Sequence, residues 1–462
     1  MKFRIKTIEH LIADAKAKPL KKTLTTLDLV FLGVGCTIGT GIFVLTGIAA
    51  AQYAGPAIAI SYLISGIACI FAGLAYSELA ATIPVAGGSY TFNYAILGEF
   101  AAWMASCGLF LGYAIAAATV AAGWSGYFVG IVNSAGYHIP EMLTKIPSEG
   151  GIINLPAVLI ALLIGVILMR GTRESIILNR VLVIIKLVAI FLFIFIAVPH
   201  IKVENWTDDF MPFGLNGIFT GAAAIFFAYN GFDAVATAAE ETKTPNRSLP
   251  IGIIGSLLVC IVLYTAVALA LTGITNYSEL NNAEPMAFAL RQNGSNIGSA
   301  LIGTGALTGM MAVLLVLMYG QSRVFFVMSR DGLLPKFFSK MHKKYETPFL
   351  SCLVVTVLVC AFGGLAPIKT IASLTSIGIL FALILCVIAV MVLRFTRPKL
   401  ERPFRCPALF VIAPLAILIC SYLIYALMGE VFVPFLIWLF CGVAGYFLYG
   451  YRKSPLNERN KK

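Results

Sequence analysis

Lys186 is the residue whose position most demands a chemical reason. It stands in Val183-Ile-Ile-Lys-Leu-Val-Ala, within an apolar run that holds no acidic partner. An ammonium at the centre of a bilayer costs about 2.5–3.5 kcal/mol on insertion scales. A stem that snorkels to the surface is one explanation, but Lys186 lies about ten residues, roughly 15 Å, from the nearer end of its run. The alternative is a fixed cation touching backbone carbonyls, able to release its proton during turnover. It would then act as a proton carrier, or as a built-in substitute for a coupling sodium ion.

Two glycine-interrupted stretches could supply those carbonyls. Cys36-Thr-Ile-Gly-Thr-Gly-Ile-Phe43 lies within an apolar run from Leu27 to Ala50, and Phe226-Phe-Ala-Tyr-Asn-Gly-Phe-Asp233 lies within a later one. Each glycine costs a helix about 0.5–1 kcal/mol relative to alanine. In lipid, an interrupted helix is tolerated where the freed backbone faces protein, water or a ligand. Gly39 and Asn230–Gly231 lie about twelve and fourteen residues from their helix ends, so both breaks fall near mid-membrane. A break exposes N–H groups at the start of one half-helix and carbonyls at the end of the other, with partial charges of about half a unit. Side by side, two breaks offer donors to a carboxylate and acceptors to an ammonium, the pair an amino-acid zwitterion requires. Close helix packing through small residues is the competing explanation for any one of these glycines, but it accounts less well for the matching break in the later run.

The elements that must hold these groups are membrane helices. Of 462 residues, 60% are apolar and 12% charged, with a mean hydropathy of +0.92. A soluble chain of this size is about a quarter charged. Continuous apolar runs of near 20 residues favour helices over a barrel. Twelve spans are expected, at about 27–50, 56–79, 97–131, 152–169, 177–198, 216–239, 249–273, 297–328, 349–365, 369–393, 408–428 and 431–450. The alternating segments between them hold 28 of the 33 lysines and arginines on one side and 4 on the other. Both termini are therefore expected in the cytoplasm, at the cell membrane, and the net charge of +12 reads as a topology signal. Contact with anionic lipid is a secondary effect, and a nucleic-acid surface is not indicated. No cleavable leader is evident in the basic first 26 residues.

The two interrupted spans lie five apart and run in opposite directions, as two inverted five-helix repeats require. The expected division is a cytoplasmic segment 1–26, a first repeat 27–198, a second 216–393, two further helices in 394–450 and a tail 451–462. Ten cysteines occur singly and read as buried inert thiols. The four histidines show no metal-ligand spacing, so no metal is expected. No cofactor is expected, and with no nucleophile–base set or phosphate loop in view, neither is an enzyme. Glu78 and Asp233 are read as caps or as partners for bases, with Asp233 the better candidate for coupling or gating. Phe227, Tyr229 and Phe232 flank the second break, where they could occlude a site or simply pack.

Gly39-Thr-Gly-Ile-Phe43, Tyr76-Ser-Glu-Leu-Ala-Ala-Thr-Ile-Pro-Val-Ala-Gly-Gly-Ser-Tyr90 and Gly231-Phe-Asp233 resemble the amino acid–polyamine–organocation permeases. Glu240-Glu-Thr-Lys-Thr-Pro-Asn-Arg-Ser-Leu-Pro-Ile-Gly252, Tyr319-Gly-Gln-Ser-Arg323 and Ser329-Arg-Asp-Gly-Leu-Leu-Pro335 are similar to their cationic amino acid transporter branch, with bacterial length. The resemblance implies an all-α, leucine-transporter-like fold working by alternating access. It also implies proton-coupled, sodium-independent symport of amino acids, with exchange as an alternative and a non-transporting sensor as another. Substrate carboxylate would sit on the N–H groups of Thr40 and Gly41, and ammonium on carbonyls near Thr37, Phe227, Ala228 and Asn230. Lys186 would take the place of a coupling sodium.

Two departures bear on selectivity. Branch members often carry Leu-Glu-Tyr where this chain has Leu111-Gly-Tyr113, and an apolar residue where it has Asn230. Gly112 removes an acid and adds volume. A neutral substrate, small or branched-chain, is therefore expected over a cationic one, with Gly112, Phe232 and Asp233 as selectivity or gating positions.

Overall fold

The computed structural model describes residues 5–456 apart from 10, 12–21, 86, 172–175, 346 and 455. Much of the basic N-terminal segment, Arg173 and the end of the C-terminal tail carry part of the expected charge asymmetry and lie outside the described residues.

Among the described residues, nine helices are long and apolar enough to cross a membrane. Three shorter apolar helices, Thr26–Thr37, Leu155–Arg170 and Phe349–Leu365, accompany them. Apart from one isolated bridge between Leu24 and Thr242, no strand pairing occurs among the described residues. Helices satisfy their own backbone groups, which hydrocarbon cannot do for them. The apolar windows of Glu99–Ser134 and Gly214–Thr237 are 94% and 83% buried, against 28% and 17% for Leu409–Gly429 and Val431–Lys453. Glu99–Ser134 and Gly214–Thr237 thus lie in the interior, while the last two helices form a rim. Large apolar side chains such as Phe195, Val262 and Phe440 point outward, as a lipid-facing surface requires.

The first interrupted helix begins with a reciprocal cap. The Thr25 N–H donates to Asp28 Oδ2 at 2.9 Å and the Asp28 N–H to Thr25 Oγ1 at 3.4 Å. The helix ends at Thr37, because Ile38 turns extended with ψ 104°. After the break the chain resumes through wide turns at Gly41–Leu45 and Ala50–Ala54. Gly55, at φ +59°, and Pro56 then steer it directly into the helix Ile58–Thr82. The later interrupted element runs as the helix Gly214–Ile225 and a tight turn Phe226–Tyr229. Asn230 is extended with ψ 137° and Gly231 has φ +114°. Only the short helix Ala234–Thr237 and the turn Ala239–Glu241 follow.

Several features were not expected. A helix Gly88–Ile96 lies between the second and third expected spans, entered through two glycines of positive φ at 87 and 88. A wide turn, Leu111–Ile115, interrupts the third span at Gly112. The buried-thiol reading holds for eight cysteines and needs correction for two, since Cys360 is half-buried and Cys441 exposed.

Glu78 proves to be a partner for bases. It is fully buried and accepts from Arg394 Nε at 3.0 Å, from Arg394 Nη2 at 2.7 Å and from the Cys406 N–H at 2.7 Å. Arg402 Nε lies 3.3 Å from Glu78 Oε1, the oxygen that also accepts from Arg394 Nε. The cluster ties the end of Ile58–Thr82 to the segment joining Ile368–Thr396 and Leu409–Gly445. Removing one member of such a buried set costs about 3–5 kcal/mol, because the remaining charge stays buried.

Candidate functional site

The two breaks lie directly against each other. A Cβ built on Gly41 would run into the Cα of Ala228, and one built on Gly231 would come within 2.7 Å of the Cys36 carbonyl oxygen. Only glycine permits both approaches. Other glycines serve different ends. Gly33 admits Ser256 of the helix Pro245–Ile274, which is ordinary close packing, and Gly39 faces Val313 of the helix Asn296–Arg330. The packing explanation therefore accounts for Gly33, while Gly41 and Gly231 bring the breaks together.

Lys186, in the helix Ile176–Ala197, is fully buried. Its ammonium donates to the Gly35 carbonyl at 2.5 Å and the Ile38 carbonyl at 3.0 Å, both at the end of the first half-helix. The negative end of that helix dipole is what a cation would seek. The side chain points into the protein toward the break, so it does not snorkel.

Hydroxyl groups from neighbouring helices hold the carbonyls in place. Tyr264 of Pro245–Ile274 directs its hydroxyl to Thr37 O at 3.1 Å and Ala228 O at 2.9 Å, linking the two breaks. Each carbonyl keeps a second lone pair. Tyr62 donates to Gly41 O at 3.2 Å and pairs with Thr46 Oγ1 at 2.6 Å. Ser376 accepts the Phe227 N–H at 3.1 Å. The side chain of Thr40 turns away toward Met310 Sδ, 3.2 Å from its Oγ1, so only its backbone can face the break.

A second neighbourhood lies beside the first. Asn230 donates from Nδ2 to the Gly112 carbonyl at 2.5 Å, and the Tyr113 hydroxyl donates to the Asp233 carboxylate. With Ser89 and Ile379 these residues line a cavity of about 10 Å³, room for one water and not for an amino acid. The chain is thus closed around its breaks. Phe232, which also lines this cavity, packs edge-on against Tyr76, and Tyr229 lies between Tyr62 and Tyr264. Tyr62, Tyr264, Ser376 and Met310 escaped sequence reasoning. The available signal was a tyrosine hydroxyl within an apolar run, which needs a partner when buried.

Interior broken helices and a buried cation against their carbonyls, within an all-helical apolar frame, define a multi-pass membrane protein with a polar centre. A family profile described as amino acid permease matches residues 24–447, and the chain belongs to that family. It is 43% identical over 458 residues to the methylthioribose transporter of Bacillus subtilis (strain 168), covering 99% of each chain. It is 44% identical over 462 residues to the branched-chain amino acid permease of the same organism, again covering 99% of each. The cationic amino acid transporter 1 of Arabidopsis thaliana is 36% identical over 380 residues, 81% of this chain and 63% of the plant protein. Family and relatives alike point to transport rather than catalysis.

Proposed function

We propose that the chain is a secondary active transporter that brings neutral amino acids, small or branched-chain, into the cell with protons and without sodium. The two breaks form the substrate site. The N–H groups of Thr40 and Gly41 take the carboxylate, and carbonyls around Thr37, Phe227, Ala228 and Asn230 take the ammonium. Lys186 is the coupling group, and its two bonds to the first half-helix carry this reading. A change in its protonation would loosen the half-helix that must move in alternating access.

Around this centre we propose twelve crossings. Residues 27–198 and 216–393 would form two inverted repeats, with two further helices in 394–450 and both termini in the cytoplasm at the cell membrane. The stretch Gly41–Thr82, 42 residues long, counts as two crossings, the first begun by Thr26–Thr37. The two short helices Leu155–Arg170 and Phe349–Leu365, of 16 and 17 residues, near the lower end of what a bilayer needs, complete the twelve.

The neutral preference is supported by the branched-chain permease relatives, at 44% and 34% identity, and by Gly112 in place of an acid. The methylthioribose transporter, equally similar, favours a second reading in which the cargo is an uncharged thiosugar. Uptake into proteoliposomes separates them. Leucine should accumulate under an inside-alkaline pH gradient, unaffected by sodium, while arginine and methylthioribose do not. Uptake of arginine or methylthioribose alone would overturn the substrate assignment. A requirement for internal amino acid would mark an exchanger, and binding without accumulation a sensor.

A further inference from the structure

One face of the helix Asn296–Arg330 follows the substrate site down toward the proposed cytoplasmic surface. Gly309 meets Lys186, Met310 accepts from Thr40, Val313 meets Gly39 and Gly320 meets the ring of Tyr113. Gln321 succeeds Met310, Leu314 and Leu317 at four- and three-residue steps and so continues this stripe. It lies about 16 Å beyond Met310 and about 15 Å before Asp331 along the helix. Asp331 accepts from the Tyr90 hydroxyl at 2.9 Å and lies 3.6 Å from Lys6. Along the helix Gln321 therefore stands about midway between the breaks and the contacts of Asp331 with Tyr90 and Lys6.

Gln321 is fully buried, yet among the described residues neither its Nε2 nor its Oε1 has a hydrogen-bonding partner. Both ends of a buried amide left unpaired are destabilising, and methionine or leucine of similar volume would suit this closed conformation better. An uncharged amide offers two N–H donors and a carbonyl acceptor on separate atoms of one side chain. A zwitterion leaving the breaks presents a carboxylate and an ammonium that need both.

We propose that Gln321 is a substrate-contacting residue of the release route. It takes up the α-amino acid after the half-helix Thr26–Thr37 moves aside and before the substrate reaches the cytoplasm. The assignment rests on the transport reading above. Binding from outside happens before this contact, so loss of the amide should slow release and leave the outside affinity alone.

The test is leucine uptake by proteoliposomes holding wild-type protein, Gln321→Met or Gln321→Asn, with leucine binding and thermal stability measured on the purified proteins. The methionine variant should lose about tenfold in maximal rate with KM and binding affinity within about twofold. The asparagine variant should recover most of the rate. Should the methionine variant not fold, Gln321→Leu is read in the same way. A methionine or leucine variant that is more stable and transports at the wild-type rate would overturn this assignment alone. Absence of leucine uptake by the wild type would overturn the neutral amino-acid reading and this assignment with it.

Discussion

Replacing Lys186 by alanine or glutamine is expected to abolish uptake driven by a pH gradient. The ammonium makes two bonds to the carbonyl end of the first half-helix, at 2.5 and 3.0 Å. Hydrogen bonds to a charged group contribute about 1.5–3 kcal/mol each. Losing even 2.7 kcal/mol from the transport cycle corresponds to about a hundredfold in rate. The two substitutions separate the roles of charge and bonding. Glutamine keeps an N–H donor, so a purely structural brace would survive in part, whereas a coupling group would fail in both variants. Uptake at a series of imposed pH gradients, normalised to reconstituted protein, is the measurement. A glutamine variant whose uptake still rises with the gradient as in the wild type would contradict the coupling role.

Gly231→Ala is the second substitution expected to be severe, for a different reason. Gly231 sits at φ +114°, where an L side chain is strained, and a Cβ there would lie 2.7 Å from the Cys36 carbonyl oxygen and 2.8 Å from its carbon. Strain of about 1–3 kcal/mol adds to an overpacking cost of about 1–3 kcal/mol. The backbone can relieve both only by parting the two breaks. Leucine uptake should fall by about a hundredfold or more, with the protein still inserted. Gly429→Ala is the control, because nothing lies within 4 Å of that position and uptake should be unchanged. Normal uptake by the Gly231→Ala protein would show that contact between the breaks is dispensable.

The centre of this protein was legible because membrane burial makes certain residues anomalous. A lysine without an acid and glycines at matched depths cannot be neutral choices in lipid, and their chemistry suggested the partner that Lys186 has at Gly35 and Ile38. The surrounding support was less legible. Gly33 and Gly41 carry the same helix penalty, yet one admits Ser256 and the other Ala228, a distinction set by neighbours distant in sequence. Tyr264 is one of several tyrosines in apolar runs, and only the packing of its helix aims the hydroxyl at both breaks. Gly112 was expected to open space beside the site, but its carbonyl is tied to Asn230 and its helix widens there into an unusual turn. The short helix Gly88–Ile96 falls between two expected spans, and its entry through Gly87 and Gly88 at positive φ carries no helical signal in the sequence. Side-chain selectivity was the least legible, because breaks that hold a substrate as proposed here would engage only the groups common to all amino acids.

That last property gives the most direct test of the central claim, that the paired breaks hold a carboxylate and an ammonium together. The measurement is competition against radiolabelled leucine uptake in proteoliposomes by leucine, by 4-methylvalerate, which lacks the ammonium, by isopentylamine, which lacks the carboxylate, and by methylthioribose. Each missing charged contact should cost about 1.5–3 kcal/mol, so the two truncated compounds should compete at least about tenfold more weakly than leucine. Methylthioribose, with neither charge, should not compete at all. Competition by methylthioribose as effective as leucine, or by either truncated analogue at full strength, would contradict the claim.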